Sequence, residues 1–227
     1  MVLAGLQKLT LLDFPGKVAC TVFTAGCDLR CPFCHNSGLL TAPEDTIPEP
    51  EFFAFLEKRR GILDGVCVTG GEPLLQPDLP DFLARIRALG FLVKLDTNGT
   101  NPDRLADLLK SGLADYVAMD VKNCPARYGE TAGAPVDPAL ITASMAVLRK
   151  SGIPYEFRTT VVREYHTPAD LLAAADWLDP RDPWFLQQFR PGDTVLKPGL
   201  HPWEEADLAA VHKEIREKLP LAQLRGL

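Results

Sequence analysis

Residues 65–99 read GVCVTGGEPLLQPDLPDFLARIRALGFLVKLDTNG, and the order of patterns in this stretch decides the fold class. A short β-branched run is followed by a turn rich in glycine and proline, and then by DLPDFLARIRAL, where apolar residues recur at helical spacing. Gly90 follows, where a residue without a Cβ can end a helix in the left-handed conformation, and a second apolar run comes next. A strand, a helix and a second strand in this order are typical of a parallel sheet covered by helices.

The same unit recurs along most of the chain. Six runs have the length and composition of buried strands, at 18–25, 65–69, 92–97, 116–121, 155–162 and 184–189. Helices are predicted at 49–60, 78–89, 102–111, 137–151, 167–178 and 203–218, and four of them stop at Gly61, Gly90, Gly112 and Gly152. Six units are too few for a complete eight-stranded barrel, so we expect an open partial barrel or an open doubly wound sheet.

Composition narrows the class of protein. The 227 residues, 46% of them hydrophobic, can bury one sizeable core, which favours a single domain over 1–227. The net charge of -6 comes with scattered lysines and arginines, so no nucleic-acid-binding surface is expected. The N-terminal stretch lacks the pattern of a secretion signal, and no apolar run is long enough to cross a bilayer. We therefore expect a cytoplasmic protein without a membrane partner.

Chemically unusual residues follow four of the predicted strands directly. A cysteine cluster comes after the first strand, GGEP at 70–73 after the second, DTNG at 96–99 after the third, and Asp120 and Lys122 close the fourth. The carboxyl ends of parallel strands meet at one edge of the sheet, where ligands bind in such folds. The sequence therefore predicts a ligand site at this edge.

The cysteine loop TAGCDLRCPFCHN carries Cys27, Cys31 and Cys34 at a spacing that lets one short loop give a thiolate to each of three irons of a [4Fe–4S] cluster. The fourth iron would stay open for a ligand. A zinc site of three cysteines and one histidine is the alternative, but it lacks a second pair of ligands, and His35 directly follows a cysteine. An electron-carrying ferredoxin would normally supply a fourth cysteine.

The other three cysteines are interpreted as structural. Cys20 and Cys67 lie within apolar, β-branched runs and are predicted to belong to the core. Cys124 has no cysteine nearby in the sequence and is interpreted as a plain free thiol.

The cysteine spacing, with the aromatic Phe33 before the last cysteine, resembles the motif of the radical S-adenosylmethionine (SAM) family. A second resemblance is to the family motif that receives the amino group of the methionine moiety, and it lies in Gly70, Gly71, Glu72 and Pro73. Two glycines allow a close approach of the backbone, and carbonyls and a carboxylate suit an ammonium-like group. A lone tetrapeptide of this kind indicates only a turn. Its place directly after the second predicted strand favours the interpretation as a cofactor-binding motif. The resemblance implies an α/β fold, a partial (βα)6 barrel of parallel strands with outer helices.

Further stretches resemble one branch of that family, the activating enzymes of glycyl-radical enzymes. They are Asp13-Phe14-Pro15-Gly16, Cys34-His35-Asn36, Asp96-Thr97-Asn98-Gly99 and Asp120-Val121-Lys122. The stretches LLDFPGK, KLDTNG, YVAMDVK, YEFRTTVV and LQQFRP are closest to the activating proteins of anaerobic ribonucleoside-triphosphate reductase. The resemblance covers a core of about 5–191 and leaves a C-terminal loop and helix at 192–227.

The resemblance also implies a set of site residues. Cluster binding falls to Cys27, Cys31 and Cys34, and cofactor binding to Phe33, Gly70, Gly71, Glu72, Pro73, Asp96, Thr97, Asn98, Asp120, Lys122 and Arg158. Asp96 and Asp120 would hold a monovalent cation against the cofactor's carboxylate, because carboxylates at adjacent strand ends repel each other unless a cation or a lysine lies between them. Alternatively, Asp96 caps the turn after it and Asp120 pairs with Lys122.

Phe189 stands where related formate-lyase activators carry a histidine, which predicts stacking on the adenine. No general base is required by the implied chemistry, and His166, His201 and His212 lie in polar sequence typical of solvated side chains.

The implied activity is that of an anaerobic oxidoreductase. Reductive cleavage of SAM gives a 5′-deoxyadenosyl radical, which takes a hydrogen from a glycine of the partner glycyl-radical enzyme. Because residues 37–68 contain only Cys67, no further clusters are inserted, and the electron must come from a flavodoxin or a ferredoxin. Two alternatives stay open: a radical enzyme acting on a small molecule or peptide, and a non-catalytic metal-binding or electron-transfer module.

Overall fold

The structure is a computed structural model that describes residues 1–41 and 43–227. One sheet of eight strands runs through the described residues in the order β1 to β8, so each strand pairs with its neighbours in sequence. The strands are β1 (Leu3–Thr10), β2 (Ala19–Thr24), β3 (Gly65–Gly70), β4 (Leu92–Thr97), β5 (Tyr116–Asp120), β6 (Tyr155–Val161), β7 (Trp184–Gln188) and β8 (Gln223–Arg225). The expected α/β fold with a mostly parallel sheet is confirmed, because β2 to β8 are all parallel.

Helices connect the parallel strands, and all of those described except the short α4 correspond to a predicted helix. They are α1 (Glu49–Glu57), α2 (Leu79–Ala88), α3 (Pro102–Lys110), α4 (Tyr128–Ala132), α5 (Pro138–Ser151), α6 (Pro168–Trp177) and α7 (Glu205–Lys218). The four glycines predicted to end helices all have a positive φ, from 66° at Gly112 to 92° at Gly90. A residue with a Cβ is strained in this region, so glycine suits the ends of α2, α3 and α5, which stop within two residues of it. The prediction for α1 is wrong, because this helix ends at Glu57, four residues before Gly61.

Two strands are missing from the sequence prediction. β1 pairs antiparallel with β2 at one edge, so the sheet is not purely parallel, and β8 adds a short strand beyond β7. The run LAGLQKLT of β1 is mixed in polarity and half-exposed, as edge strands often are, and therefore lacks a clear apolar pattern. β8 is only three residues long and lies within the segment 192–227, which was predicted as a loop and a helix. This segment therefore contributes a strand as well.

The two faces of the sheet differ in character. Val66, Val68, Val93 and Leu95 are fully buried in the core and alternate with Cys67 and Lys94, whose side chains lie on the opposite face. Residues on that inner face line a polar cavity at the carboxyl ends of the strands. Because side chains alternate along each strand, one face of the sheet packs against the helices in the core and the other face lines the polar cavity. In the described part of the chain, no helix is long and apolar enough to cross a membrane.

Candidate cofactor site

The loops after β2, β3, β4 and β5 converge on one cavity of about 340 Å³. Most of the predicted site residues line it: Cys27, Cys31, Phe33, Cys34, Gly70, Gly71, Asp96, Thr97, Asn98, Asp120, Lys122 and Arg158. Glu72 and Pro73 do not line it, and both are buried. Residues from β1 and β7, Gln7 and Gln187, line the same cavity. The sheet therefore curves around the site, as a partial barrel does.

The cysteine loop has almost no regular structure and is held by backbone contacts on two sides. The Arg30 N–H donates to the carbonyl of Ala132 at the end of α4, at 3.0 Å. On the other side, the Leu196 and Lys197 N–H groups donate to the carbonyls of Cys34 and Pro32, at 3.1 and 2.8 Å. These backbone hydrogen bonds hold the path of a loop that has no helix or strand of its own.

The three cysteines of the loop lie at the edge of the cavity, Cys31 buried and the other two partly buried. Burial raises the pKa of Cys27 to about 11, and it raises the pKa of Cys31 although Lys122 opposes the shift. Thiols in such surroundings become thiolates only when a metal supplies positive charge. Among the described residues, no group of three His, Cys, Asp or Glu side chains is arranged so that it could hold a metal ion.

The donor set nevertheless fits an iron–sulfur cluster, because a cubane takes one thiolate on each of three irons instead of three on one ion. All three cysteines line one cavity, and that cavity continues past them along the inner face of the sheet. Space for a ligand therefore adjoins the thiols.

The two glycines of the GGEP motif allow a close approach of backbone to backbone. The Gly71 N–H donates to the Thr24 carbonyl and the Glu72 N–H to the Gly26 carbonyl, at 2.9 and 2.8 Å. A Cβ on Gly71 would lie 2.0 Å from the Gly26 oxygen, and a Cβ on Gly70, whose φ is 121°, would lie 2.3 Å from Thr24. The glycines are thus required to seat this motif on the start of the cysteine loop.

Glu72 has an internal set of partners instead of a place on the cavity wall. Its carboxylate accepts hydrogen bonds from the Leu74 N–H, the Thr97 hydroxyl and the Asn98 N–H, at 3.0, 2.8 and 2.7 Å. Burial raises its pKa to about 7, and these three bonds oppose the shift. In this structure Glu72 therefore ties the loop after β3 to the loop after β4, and its contact with the cofactor stays a prediction.

The loop after β4 is in turn tied to the cysteine loop through Asp28, a residue that the sequence analysis missed. Its two carboxylate oxygens accept from the Asn98 amide and the Thr100 hydroxyl, each at 2.7 Å. The turn itself is capped by the side chains of Thr97 and Asn98, which accept from the Gly99 and Thr100 N–H groups. Asp96 does not cap it, so that alternative for Asp96 is not observed.

Asp96 belongs instead to a row of five alternating charges on the inner face of the sheet, which we call the charged row: Lys94, Asp96, Arg158, Asp120 and Lys122. Arg158 on β6 donates to both carboxylates, to Asp96 Oδ2 at 3.1 Å and to Asp120 Oδ1 at 3.0 Å. Lys94 pairs with Asp96 Oδ1, and Lys122 donates to Asp120 Oδ2 at 2.7 Å. The predicted pair of Asp120 and Lys122 is therefore present, and every oxygen of the two carboxylates has a cationic partner.

The pKa values of the charged row follow from these pairings. Burial alone would raise the pKa of Asp120, but Lys122 and Arg158 outweigh it and lower the pKa to about 2. Arg158 and Lys94 likewise hold the pKa of Asp96 below its usual range against the effect of burial. Both carboxylates of the charged row are therefore ionised at neutral pH.

The prediction of a solvated His166 is wrong. This side chain is 2% exposed, its Nδ1 accepts from the Val162 N–H at 3.1 Å, and its Nε2 donates to the Lys122 carbonyl at 2.8 Å. Burial lowers its pKa, which keeps the ring neutral, as this pair of contacts requires. No local sequence pattern marks a buried histidine in a polar loop. The burial of His166 depends on its contacts with the segments that follow β5 and β6. His201 is exposed, as expected.

Phe189 is also placed differently from the prediction. It is 1% exposed and does not line the cavity. Its ring packs against His35, with the two centroids 5.5 Å apart, and His35 is the residue that faces the cavity. Phe189 therefore supports His35, and adenine stacking on Phe189 has no surface available in this structure.

Several lining residues were missed because their only signal is alternation along a strand. Thr21, Phe23, Thr69 and Thr160 line the cavity, each an even number of positions from another inner-face residue. Asp13 lines it as well and accepts from the Thr21 hydroxyl at 2.6 Å, although the sequence analysis gave it no role in the site.

The chain is similar in sequence to a known family and to a relative over most of its length. A family model described as the Radical SAM superfamily matches residues 21–178, more than half of the chain. A candidate glycyl-radical enzyme activating enzyme of Methanocaldococcus jannaschii is 32% identical over 195 residues, which cover 84% of this chain and 80% of that protein.

Two further relatives match over shorter stretches. A PqqA peptide cyclase of Streptomyces rochei is 34% identical over 58% of this chain and 36% of its own length. The pyruvate formate-lyase-activating enzyme of Clostridium pasteurianum is 33% identical over 52% of this chain and 51% of its own. The chain thus spans about a third to a half of these two relatives.

Solved structures support the fold alone, because their sequence identities are low. SuiB of Streptococcus suis, bound to the precursor peptide SuiA, has a TM-score of 0.71 at 15% identity over 91% of this chain and 48% of SuiB. A domain of the pyruvate-formate lyase-activating enzyme of Bacteroides vulgatus has a TM-score of 0.58 at 20% identity, over 71% of this chain and 99% of that domain.

Proposed function

The chain belongs to the radical S-adenosylmethionine superfamily, and on this premise we propose that it activates a glycyl-radical enzyme, with anaerobic ribonucleoside-triphosphate reductase as the partner. Membership of this superfamily implies an enzyme that uses a [4Fe–4S] cluster and SAM. Cys27, Cys31 and Cys34 would hold the cluster. When bound, the cluster and SAM supply the one-electron chemistry that generates a carbon radical.

The observation that carries the proposal is a match along most of both chains. The candidate activating enzyme of Methanocaldococcus jannaschii aligns over 80% of its length, whereas the PqqA peptide cyclase aligns over 36% of its length. Most of the cyclase's length therefore lies outside its match to this chain.

The reductase is favoured as the partner by five stretches, LLDFPGK, KLDTNG, YVAMDVK, YEFRTTVV and LQQFRP. In the structure, all five contribute a residue that lines the cavity: Asp13 in LLDFPGK, Asp96 in KLDTNG, Lys122 in YVAMDVK, Arg158 in YEFRTTVV and Gln187 in LQQFRP. Resemblance to reductase activators is thus concentrated on the candidate site, which supports this assignment over an unrelated peptide substrate.

The chain's own residues would orient the cofactor and shield the reaction. Arg158 and Lys122 present cationic groups to a ligand carboxylate, and Phe33 is buried beside Tyr165 and His166 at the edge of the cavity. A carbon radical attacks whatever is nearest, so the glycine has to be delivered next to the cavity and water has to be kept out. Residues 37–68 contain only Cys67, which is buried in β3, so we propose a flavodoxin or a ferredoxin as the external electron donor.

The test is a radical transfer experiment. Reduced protein, SAM and the candidate reductase are mixed without oxygen, and the electron paramagnetic resonance spectrum is recorded. We expect a doublet from one α-hydrogen, which disappears when the reductase glycine is changed to alanine and when Cys34→Ala protein is used. Release of deoxyadenosine without a protein-centred radical on the reductase would contradict the proposal.

A second candidate is a radical SAM enzyme that modifies a peptide or a small molecule. The matches to PqqA peptide cyclases favour it. The same experiment distinguishes the two, because deoxyadenosine formation that depends on an added peptide, with no radical on the reductase, would support the second candidate.

A further inference from the structure

Each of the four carboxylate oxygens in the charged row has a cationic side chain as its partner. Lys94 and Arg158 each contact one oxygen of Asp96, and Arg158 and Lys122 each contact one oxygen of Asp120. The family resemblance predicts that these two carboxylates bind a monovalent cation, and the donor set found here does not fit one. We propose that Lys94 and Arg158 supply this positive charge themselves, so that SAM binding requires no monovalent metal cation. The inference rests on SAM binding at this site but not on the identity of the partner enzyme.

Geometry supports the replacement. The Arg158 guanidinium lies between the two carboxylates, within 3.1 Å of an oxygen of each. A metal ion bridging Asp96 and Asp120 would have to occupy the same space and approach a fixed cation closely. Repulsion between like charges is strong in a site shielded from water, so the ion and the guanidinium exclude each other.

Lys94 makes the arrangement complete. Its side chain is 2% exposed, and an ammonium group this deeply buried is rare in proteins unless it is paired. Its partner is Asp96, with the Cys67 sulfur 3.8 Å away on the adjacent strand. With Arg158 alone, one oxygen of Asp96 would remain available to a cation. Lys94 occupies that oxygen and is therefore the residue that distinguishes this site from one that recruits a metal.

Charge balance leads to the same conclusion. The charged row holds three cationic side chains and two carboxylates, which leaves one cationic group in excess. One additional carboxylate, such as that of the methionine moiety of SAM, neutralises the excess. If a metal cation also bound, the site would again hold one positive charge in excess. An unpaired charge is unfavourable in a largely buried site.

The first test uses the wild-type holoenzyme. SAM affinity of the anaerobic, cluster-loaded protein is measured by titration calorimetry at equal ionic strength in potassium, sodium and tetramethylammonium chloride, the last being too large to enter the site. We expect dissociation constants that agree within about twofold, because the row is complete without a metal. A loss of about tenfold or more in tetramethylammonium, restored by potassium, would overturn the proposal.

The second test removes the buried ammonium. In tetramethylammonium, Lys94→Met holoenzyme should bind SAM about tenfold more weakly than wild type and regain affinity when potassium is added, because an oxygen of Asp96 becomes available. The matched control is Lys150→Met, on the exposed surface of α5, which should behave as wild type. Wild-type affinity of Lys94→Met in tetramethylammonium would contradict the role of Lys94. If that variant does not fold, the wild-type salt series still decides, and neither result depends on whether a glycyl radical forms on the reductase.

Discussion

At the scale of single residues, Glu72 shows how a motif residue can act on a site without facing it. Its three hydrogen bonds connect the loops after β3 and β4, and Asp28 continues the connection to the cysteine loop. A buried carboxylate with several donors is costly to disrupt, because removing it leaves those donors without partners. Glu72 therefore positions the glycines and the loop after β4 relative to the thiols of the cysteine loop.

Asp120 gives a prediction at the same scale. Its pKa in the folded protein is about 2, below the ordinary value of 3.8, because Lys122 and Arg158 outweigh burial. A lowered carboxylate pKa contributes stability that is present above the ordinary value and is lost as the pH falls through the lower one. We therefore expect about 2 kcal/mol of the unfolding free energy of the metal-free protein to be lost between about pH 4 and pH 2 through this residue.

The measurement is urea unfolding across that pH range, with Asp120→Asn for comparison. The variant should be less stable at neutral pH, and its stability should fall less steeply toward pH 2. Parallel pH profiles for the two proteins would show that Asp120 does not carry this dependence. Glu57→Gln, at an exposed position on α1, is the matched control and should follow the wild-type profile.

At the scale of elements, the contact between the GGEP loop and the cysteine loop depends on the absence of a side chain. The Cβ of Gly71→Ala would meet the Gly26 oxygen at 2.0 Å, so one of the two loops has to move. We expect a loss of about 2 kcal/mol or more in unfolding free energy and a lower iron content after reconstitution. Gly38→Ala is the control, because its Cβ would meet nothing within 4 Å, and it should be nearly neutral. Equal iron content in both variants would refute this role of the contact.

The cysteine loop gives a second prediction for an element. Anaerobic reconstitution should load about four irons per chain, and Cys27→Ala, Cys31→Ala or Cys34→Ala should abolish loading. Cys20→Ser and Cys67→Ser are the matched controls, because both side chains are fully buried in strands outside the loop, Cys20 in the core and Cys67 on the inner face beside Lys94. They should keep the cluster and lose about 1–3 kcal/mol of stability for a buried hydroxyl. One zinc per chain with no iron would contradict the assignment.

At the scale of the whole molecule, β8 extends the sheet beyond β7. Arg225 on β8 donates to both carboxylate oxygens of Glu156 on β6, at 2.9 and 3.0 Å, and lies over the Phe185 ring at 3.9 Å. Glu156 is 1% exposed, so this ion pair balances a charge inside the curved sheet. The last strand is therefore part of the domain and not an appendage to it.

Arg225→Met tests this closure. Among the described residues, the variant leaves the buried carboxylate of Glu156 with only the Tyr116 hydroxyl as a partner, so we expect a loss of about 3 kcal/mol in unfolding free energy. Arg216→Met, at an exposed position on α7, should change the stability by about 0.5 kcal/mol or less. Denaturant unfolding of the three proteins is the measurement. A small effect of Arg225→Met would mean that β8 contributes little to the stability of the sheet.

The sequence alone determined the features that depend on local patterns. The six parallel strands, their helices and the glycines that end three of them follow from periodicity and from the conformational freedom of glycine. The loops that form the site could be predicted too, because the carboxyl ends of parallel strands meet at one edge.

Tertiary structure alone decided which of these residues face the cavity and what they touch. Glu72 turns away from it, His166 is buried, Phe189 lies behind His35, and Lys94 and Arg158 engage both carboxylates that were expected to bind a cation. These contacts join residues from different strands. Their hydrogen-bond geometry and burial arise only when the sheet curves, and no periodicity along the chain encodes them.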